Sequence, residues 1–263
     1  MSAVKNDVYS SNNKMDIDYY NYSEERYELM GNSIMKLAPK GAKILNIGSH
    51  YLHSSMILAK LDYEVTGVDV SVFWDIDFVQ KRKEEYSIGC LKEDNLETFE
   101  SAKLIENEYD VVIFTEILEH ITFNPISFWS RIYSMTKSGG VIYLTTPNSL
   151  ALPNVLRSLK DLVLMNGIGT KVQDILSKVT YGHHWKEYSK KEIKEYFKAM
   201  SDDFEVSTSY FMYQKYDGGG VRPWLWHRLT VIGHLLYFFS PQLESSIIVN
   251  KRAGFKIVAP DFY

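Results

Sequence analysis

The chain has 263 residues, enough for one sizeable domain with appended elements. A hydrophobic content of 45% and a charged content of 24% are ordinary for a globular protein, and a net charge of −4 argues against a nucleic-acid binder with a basic face. The single cysteine, Cys90, rules out a disulfide framework or a cysteine-rich zinc site within one chain and is expected to be a small buried residue.

The first residues, Met-Ser-Ala-Val-Lys-Asn-Asp, lack an apolar signal core, so a reducing cytoplasm is the expected compartment. Residues 1–18 read as polar and loose. Ser23 is expected to cap a helix with Glu24 and Glu25 in its first turn. Tyr27, Met30, Ile34 and Leu37 follow at helical spacing, and Pro39-Lys40-Gly41 ends the run.

Ile44, Leu45 and Ile47 form a short apolar run of the buried parallel-strand type, and Gly48 follows where such a strand must turn. A helix over His53 to Leu61 and a strand over Val65 to Val68 come next, with Asp69 at the strand's end. This strand–glycine turn–helix–strand–acid unit predicts the nucleotide-binding half of a doubly wound fold. Gly48 lets backbone approach a ligand, and Asp69 stands where a carboxylate can accept both hydroxyls of a ribose.

A mixed segment leads to a third strand near Tyr86 to Leu91, followed by the charge run Lys92-Glu93-Asp94-Asn95. Tyr109 to Phe114 is the strongest apolar strand signal. It runs into Thr115-Glu116-Ile117-Leu118-Glu119-His120. A helix starting at Thr115 would place Glu116, Glu119 and His120 on one face, at i, i+3 and i+4. Two carboxylates and an imidazole so placed can hold a divalent cation, with His183 or His184 as a fourth ligand. In the alternative, the glutamates pair locally and the histidine acts as a base or packs.

A helix over Ile126 to Met135 precedes a fifth strand, Val141 to Leu144. Residues 149–180 then interrupt the alternation with an amphipathic helix from Leu150 to Val163, a break at Asn166-Gly167-Ile168-Gly169 and a shorter helix. This segment is expected as an insertion over the C-terminal edge of the sheet. Ser189 is the expected cap of a helix over Lys190 to Met200, and Phe204 to Tyr213 and Ser246 to Asn250 are the last strands. The apolar run 222–239 is too short to span a bilayer. It reads as a buried helix between those strands, a dimer contact and a membrane-surface contact being the alternatives. The order of elements predicts an α/β, Rossmann-like, doubly wound and mainly parallel seven-stranded sheet with helices on both faces.

Three ordered phrases carry a family resemblance. Tyr-Asp-Val-Val-Ile-Phe-Thr-Glu-Ile-Leu-Glu-His resembles the fourth-strand motif of the class I S-adenosylmethionine (SAM)-dependent methyltransferases. Gly-Gly-Val-Ile-Tyr-Leu-Thr-Thr-Pro-Asn resembles their fifth-strand motif. His-His-Trp-Lys-Glu-Tyr-Ser-Lys-Lys-Glu-Ile resembles a later segment with a histidine, an aromatic and a capped helix. The glycine turn resembles motif I with Asn46 in place of the usual acid, and with His50 and Leu52 where the second and third glycines stand.

The resemblance implies a SAM-binding core over 41–148, a cofactor-covering helix within 1–40, a helical insertion at 149–180 over the site, and the rest of the sheet in 181–263. It implies cofactor contacts from Asn46, Gly48, Ser49, Asp69, Val70, Asp94, Thr115 and Glu116, with Asp94 toward the adenine. His120, His184 and Glu119 are the expected catalytic residues. The phrase Glu116, Glu119, His120 with the distant His184 also resembles the small-RNA 3′-terminal 2′-O-methyltransferases, which implies a magnesium or manganese ion on those four residues.

The expected activity is O-methylation of a hydroxyl on a small-molecule, sugar or polysaccharide-type acceptor. A non-catalytic SAM-binding scaffold and a metal-dependent RNA 2′-O-methyltransferase are the alternatives, although the acidic charge balance disfavours a nucleic-acid partner. No transmembrane segment is expected, and a homodimer is compatible with the sequence.

Overall fold

The computed structural model describes residues 2–102, 105–213 and 218–258. Seven strands form one sheet: β1 (Lys43–Ile47), β2 (Glu64–Asp69), β3 (Gly89–Lys92), β4 (Tyr109–Thr115), β5 (Thr136–Pro147), β6 (Phe204–Phe211) and β7 (Gln242–Val249). Their spatial order is β3-β2-β1-β4-β5-β7-β6. The first five are parallel, and β7 pairs antiparallel with both β5 and β6. The doubly wound seven-stranded sheet expected from the sequence is therefore the one observed.

Ten helices accompany the sheet: α1 (Ser2–Ser10), α2 (Lys14–Leu37), α3 (His53–Lys60), α4 (Ser71–Trp74), α5 (Asp77–Glu85), α6 (Ile126–Met135), α7 (Leu152–Val163), α8 (Val172–Ser177), α9 (Lys190–Met200) and α10 (Val221–Leu235), counted among the described residues. Two-residue alternation along the central strands builds a core on each face. Ile44, Val111 and Ile113 pack with Val8, Ile34, Met56 and Val79 from α1, α2, α3 and α5. Leu45, Ile47, Val112 and Phe114 pack with Phe128, Trp129 and Phe197 from α6 and α9. Ser189 caps α9 through a reciprocal pair of bonds with Glu192, as its place in the sequence predicts.

The N-terminus departs from expectation. Residues 1–18 are not loose: α1 is formed, and α2 starts at Lys14, where Asn13 accepts a hydrogen bond from the Asp16 N–H. Ser23 is thus a buried residue within α2 and not its cap. A buried polar cluster explains the added order. Asp16, fully buried, accepts two bonds from the Arg82 guanidinium at 2.8 and 2.7 Å and one from His53 Nε2 at 2.7 Å. Arg82 also bonds Asp7 Oδ1 on α1 at 2.7 Å. Burial pushes His53 down, so a neutral ring donates to Asp16. Burial alone would raise the Asp16 carboxyl, but the bonds from His53, Arg82 and Ser11 outweigh it and hold it well below the usual range.

Other boundaries also shift. Tyr86 ends α5, and β3 begins only at Gly89. β5 and β7 are longer than their apolar runs, because Thr136 pairs with Tyr109 across a register shift and Pro147 pairs with Gln242. Cys90 is half-buried on an edge strand. Most of the run 222–239 forms a helix, α10, which ends at Leu235, but much of it faces solvent where a buried helix was expected.

Removing Arg82 leaves the Asp16 carboxylate buried with its cationic partner gone. Arg82→Met should destabilise the fold by about 3–5 kcal/mol, measured by urea denaturation. The folded-state pKa of Asp16 lies below its unfolded value of about 3.9. The wild-type advantage should therefore be present above pH ~4 and shrink as pH falls below it. An unchanged denaturation midpoint in the variant would remove the cluster from the account.

Candidate active site

Strands β1 and β4 are neighbours, but the chain leaves β1 toward β2 and leaves β4 toward β5. Ligand crevices in doubly wound sheets open at such a reversal, beyond the strand C-termini. Both strands end there in unusual backbone. Gly48 after β1 has φ +73°, and Glu116 after β4 has φ +56°. His50 (φ +48°) and Leu52 (φ +67°) are also left-handed. The loop thus keeps a glycine-like path at positions that carry side chains. A Cβ at Gly48 would meet Ile117 Cδ1 at 2.6 Å, so the absence of a side chain lets the two loops close on each other.

The residues expected to hold a cofactor divide into two groups. Gly48 is exposed, and the Asp69 carboxylate lies beside it, accepting the His50 N–H at 2.7 Å and the Val70 N–H at 2.8 Å. Each Asp69 oxygen keeps a lone pair for a further donor. Burial raises its pKa against these two backbone bonds. Thr115 and Glu116 end β4 across the crevice.

Asn46, by contrast, is buried, and its amide donates to Ser54 and Ser55 Oγ at 2.8 Å each, fixing the start of α3. Its position on β1 puts it on the α3 side of the sheet. Ser49 is buried as well, donating to Asn46 O, beneath a Gly67 whose Cβ would collide with it. Asp94 accepts the Ser71 N–H at 2.7 Å and the Ser71 hydroxyl at 2.6 Å, which lower its pKa. It ties the end of β3 to the start of α4 beside Val70. The His50 ring sits 4.0–4.4 Å from the rings of Tyr51, Phe73 and Tyr19, and burial pushes it down to about 4.

A cavity of about 340 Å³ opens above β4 and β5. Glu116, Glu119, Glu187, Arg26, His120 and His184 supply its ionisable groups, with Tyr22, Tyr213 and Trp226 among its aromatic walls. The helix expected from Thr115 is absent. β4 runs through Thr115, Glu116 turns left-handed with its N–H on Thr145 O, and Leu118–His120 makes one 3₁₀ turn. The correction separates the acids. Glu116 accepts from Thr145 Oγ1 at 2.8 Å and Tyr213 Oη at 3.3 Å and lies 4.0 Å from Arg26. Glu119, His120 and His184 still converge, with candidate ligand atoms within 4.8 Å of one another, but Glu116 does not belong to that group. Three of the four residues expected to bind metal are therefore brought together.

Glu119 is almost wholly buried. Its Oε2 accepts from Thr146 Oγ1 at 3.0 Å, and its Oε1 makes no hydrogen bond, His120 Nε2 lying 3.9 Å away. Burial, and then the nearby Glu116 charge, push it up to about 8. His120 Nδ1 lies 2.9 Å from the His183 carbonyl. A carbonyl only accepts, so Nδ1 carries the proton and Nε2 of the neutral ring is free to accept. Burial lowers the His120 pKa against the bond to the His183 carbonyl, which raises it, and the neighbouring His184 and His183 rings lower it further. His184 is the reverse case: its Nδ1 meets Glu187 Oε1 at 3.0 Å, and that bond raises it. Of the two tandem histidines, His184 faces the cavity, while the buried ring of His183 packs by Trp185.

Arg26, Tyr213 and Glu187 also line the cavity, although they are not among the expected site residues. Arg26 follows the aromatic residues Tyr19, Tyr20 and Tyr22 on α2.

A family model described as a methyltransferase domain matches residues 22–201. Comparison with curated proteins gives no match. Among solved structures, a SAM-dependent methyltransferase from Archaeoglobus fulgidus is 18% identical with a TM-score of 0.51, over 88% of this chain and 98% of that one. The YcgJ protein from Bacillus subtilis is 12% identical with a TM-score of 0.54, over 84% and 98%. A phosphoethanolamine N-methyltransferase 2 from Haemonchus contortus is 16% identical with a TM-score of 0.51, over 85% of this chain and 52% of that one, so the chain spans about half its length. At these identities the likeness is one of fold.

Glu119 binds its proton more tightly in the folded than in the unfolded state, so it lowers stability as pH rises from about 4.5 through about 8. Glu119→Gln has no such dependence. Its stability relative to wild type, read from urea denaturation across a pH series, should grow over that window and level off above it. Parallel profiles would show that Glu119 is ionised at no cost.

Proposed function

The chain belongs to the methyltransferase-domain family and is a class I SAM-dependent methyltransferase, and we propose that it methylates a hydroxyl oxygen of a small-molecule or sugar-type acceptor. The observation that carries this reading is His120: its Nδ1–H is held by the His183 carbonyl, leaving Nε2 as an acceptor in a cavity of carboxylates and aromatic rings.

The residues present fit the cofactor. Asp69 keeps free lone pairs on both oxygens, Gly48 exposes backbone, and the left-handed path through His50 and Leu52 follows the backbone course that glycines would take. Asp69 would take the ribose hydroxyls, and the backbone at Gly48 and Val70 would border the adenosine. Asn46, Ser49 and Asp94 would position the surrounding loops. Bound SAM supplies a sulfonium methyl group, open to in-line attack by a nucleophile.

The protein's part is to position the acceptor and take its proton. His120 Nε2 accepts the hydroxyl proton as oxygen attacks. His184, raised by Glu187, and the protonated Glu119 offer hydrogen bonds to the acceptor's other oxygens. Neighbouring histidines whose surroundings push their pKa values apart suit a base and a donor. Tyr22, Tyr213 and Trp226, which line the cavity, would pack against a sugar or small ring. The insertion 149–180 borders a second cavity, about 510 Å³, which shares Asn154, His184 and Glu187 with the first and has room for the rest of a larger acceptor.

Transfer of labelled methyl groups from SAM to a panel of sugars, nucleotide sugars, phenols and RNA tests the reading. Turnover should require a hydroxyl acceptor, survive chelator and fall as pH drops below the lowered pKa of His120. His120→Ala should lose about a hundred-fold or more in kcat while still binding SAM by calorimetry. Turnover stopped by chelator and restored by magnesium or manganese would replace the base with a metal on Glu119, His120 and His184. SAM binding without transfer to any acceptor would favour a scaffold.

Binding has its own test. Asp69→Ala should weaken SAM affinity by one to two orders of magnitude, about the scale of lost charge-assisted hydrogen bonds. Unchanged affinity would place the ribose elsewhere.

A further inference from the structure

A concentration of exposed apolar side chains lies on α7, α8 and α10. Along α7, Leu156, Leu159, Leu162 and Val163 fall on one stripe at helical spacing, and all are exposed. Beyond it, Met165 is 91% exposed, and Leu176 on α8 is 82% exposed. On α10, Val221 (83% exposed), Trp224, Leu225 and Trp226 are open to solvent, as are Tyr237 and Phe238 just after it. α10 packs against the start of α7, where a Cβ at Gly233 would meet Leu152 Cβ at 2.8 Å. α7 and α10 border the cavity, which Pro153, Asn154, Trp226 and Thr230 help to line, and Asp174 of α8 borders the adjoining one. An amphipathic helix in water normally turns such a stripe inward.

Charge identifies the occupant. Residues 149–182 and 218–240 together carry six cations, Arg157, Lys160, Lys171, Lys178, Arg222 and Arg228, against two acids, Asp161 and Asp174. The whole chain has a net charge of −4. Cations are thus concentrated where the apolar side chains are exposed, with tryptophan and tyrosine among them. Basic residues flanking an aromatic and aliphatic face match an anionic bilayer surface. A second copy of the chain would oppose one basic face to another. Among the described residues no helix is long and apolar enough to cross a membrane, and α10, with 15 residues, spans only about 22 Å.

We propose that α7, α8 and α10 form a docking surface for anionic lipid bilayers, on which the chain lies with the mouth of its cavity toward the lipid. The apolar side chains enter the interface, and the cations meet lipid phosphates. This inference is independent of which atom is methylated.

Co-sedimentation of the full chain with vesicles tests it. Vesicles of phosphatidylcholine and phosphatidylglycerol in equal parts should carry the protein down, and phosphatidylcholine alone should not. Added salt should release it, and tryptophan emission should shift to the blue on binding. Arg222→Gln and Arg228→Gln should each weaken binding by about five-fold. The double change Leu159→Glu, Leu162→Glu, at exposed positions, should abolish binding while the circular dichroism spectrum stays unchanged. Equal sedimentation with both vesicle types, or none with either, overturns the proposal. So does a lipid-free dimer, seen by analytical ultracentrifugation, that this double variant splits.

Discussion

Two parallel strands, β1 and β4, lie side by side while their chains depart to opposite edges of the sheet, and the crevice left between the departures organises the molecule. The constraint is steric. Each strand must turn out of the sheet without filling the space beyond it. Left-handed backbone at Gly48 and Glu116 makes the two turns, and Ile117 occupies the place a side chain at residue 48 would need. Asp69 then fastens the first turn from below by accepting the His50 N–H. The long N-terminal helix α2 reaches over the crevice, and the buried charges of Asp16 and Arg82 hold it there. Tyr22 and Arg26 enter the cavity from that helix.

The chemistry of the cavity follows from unequal burial. Glu119 lies deep with one oxygen making no hydrogen bond, whereas Glu116, less buried, is surrounded by Thr145, Tyr213 and Arg26. Two carboxylates in one pocket resist joint ionisation, and the deeper one keeps its proton. His120 and His184 are likewise separated by what they touch, a neutral carbonyl in one case and a carboxylate in the other. A short stretch after β4, with one partner loop, thus presents a proton acceptor and two donors to the same space.

Much of this could be read from residue patterns. The apolar runs of β1, β2, β4 and β5 are hard to mistake, and an acid at the end of the second strand fixes the crevice. Ser189 and Glu192 announce the start of α9 by local chemistry alone. Conformations imposed by neighbours were harder to read. Glu116, Glu119 and His120 have helical spacing, but pairing of Glu116 with Thr145 extends the strand and replaces the helix with a 3₁₀ turn. Residues 1–18 look polar because Asp7 and Asp16 are counted as surface charges, and only the fold brings Arg82 to them. The run 222–239 showed that an apolar helix would form, but hydropathy does not say whether protein or another phase covers it.

The work of the site depends on where the cofactor's reactive end points. A crystal structure of the chain with S-adenosylhomocysteine measures this directly. The ribose should lie on the Asp69 carboxylate, with the homocysteine passing Gly48 and its sulfur opening into the cavity that His120 and Glu119 share. A cofactor bound with its sulfur turned away from that cavity, or held outside the crevice between β1 and β4, would contradict it.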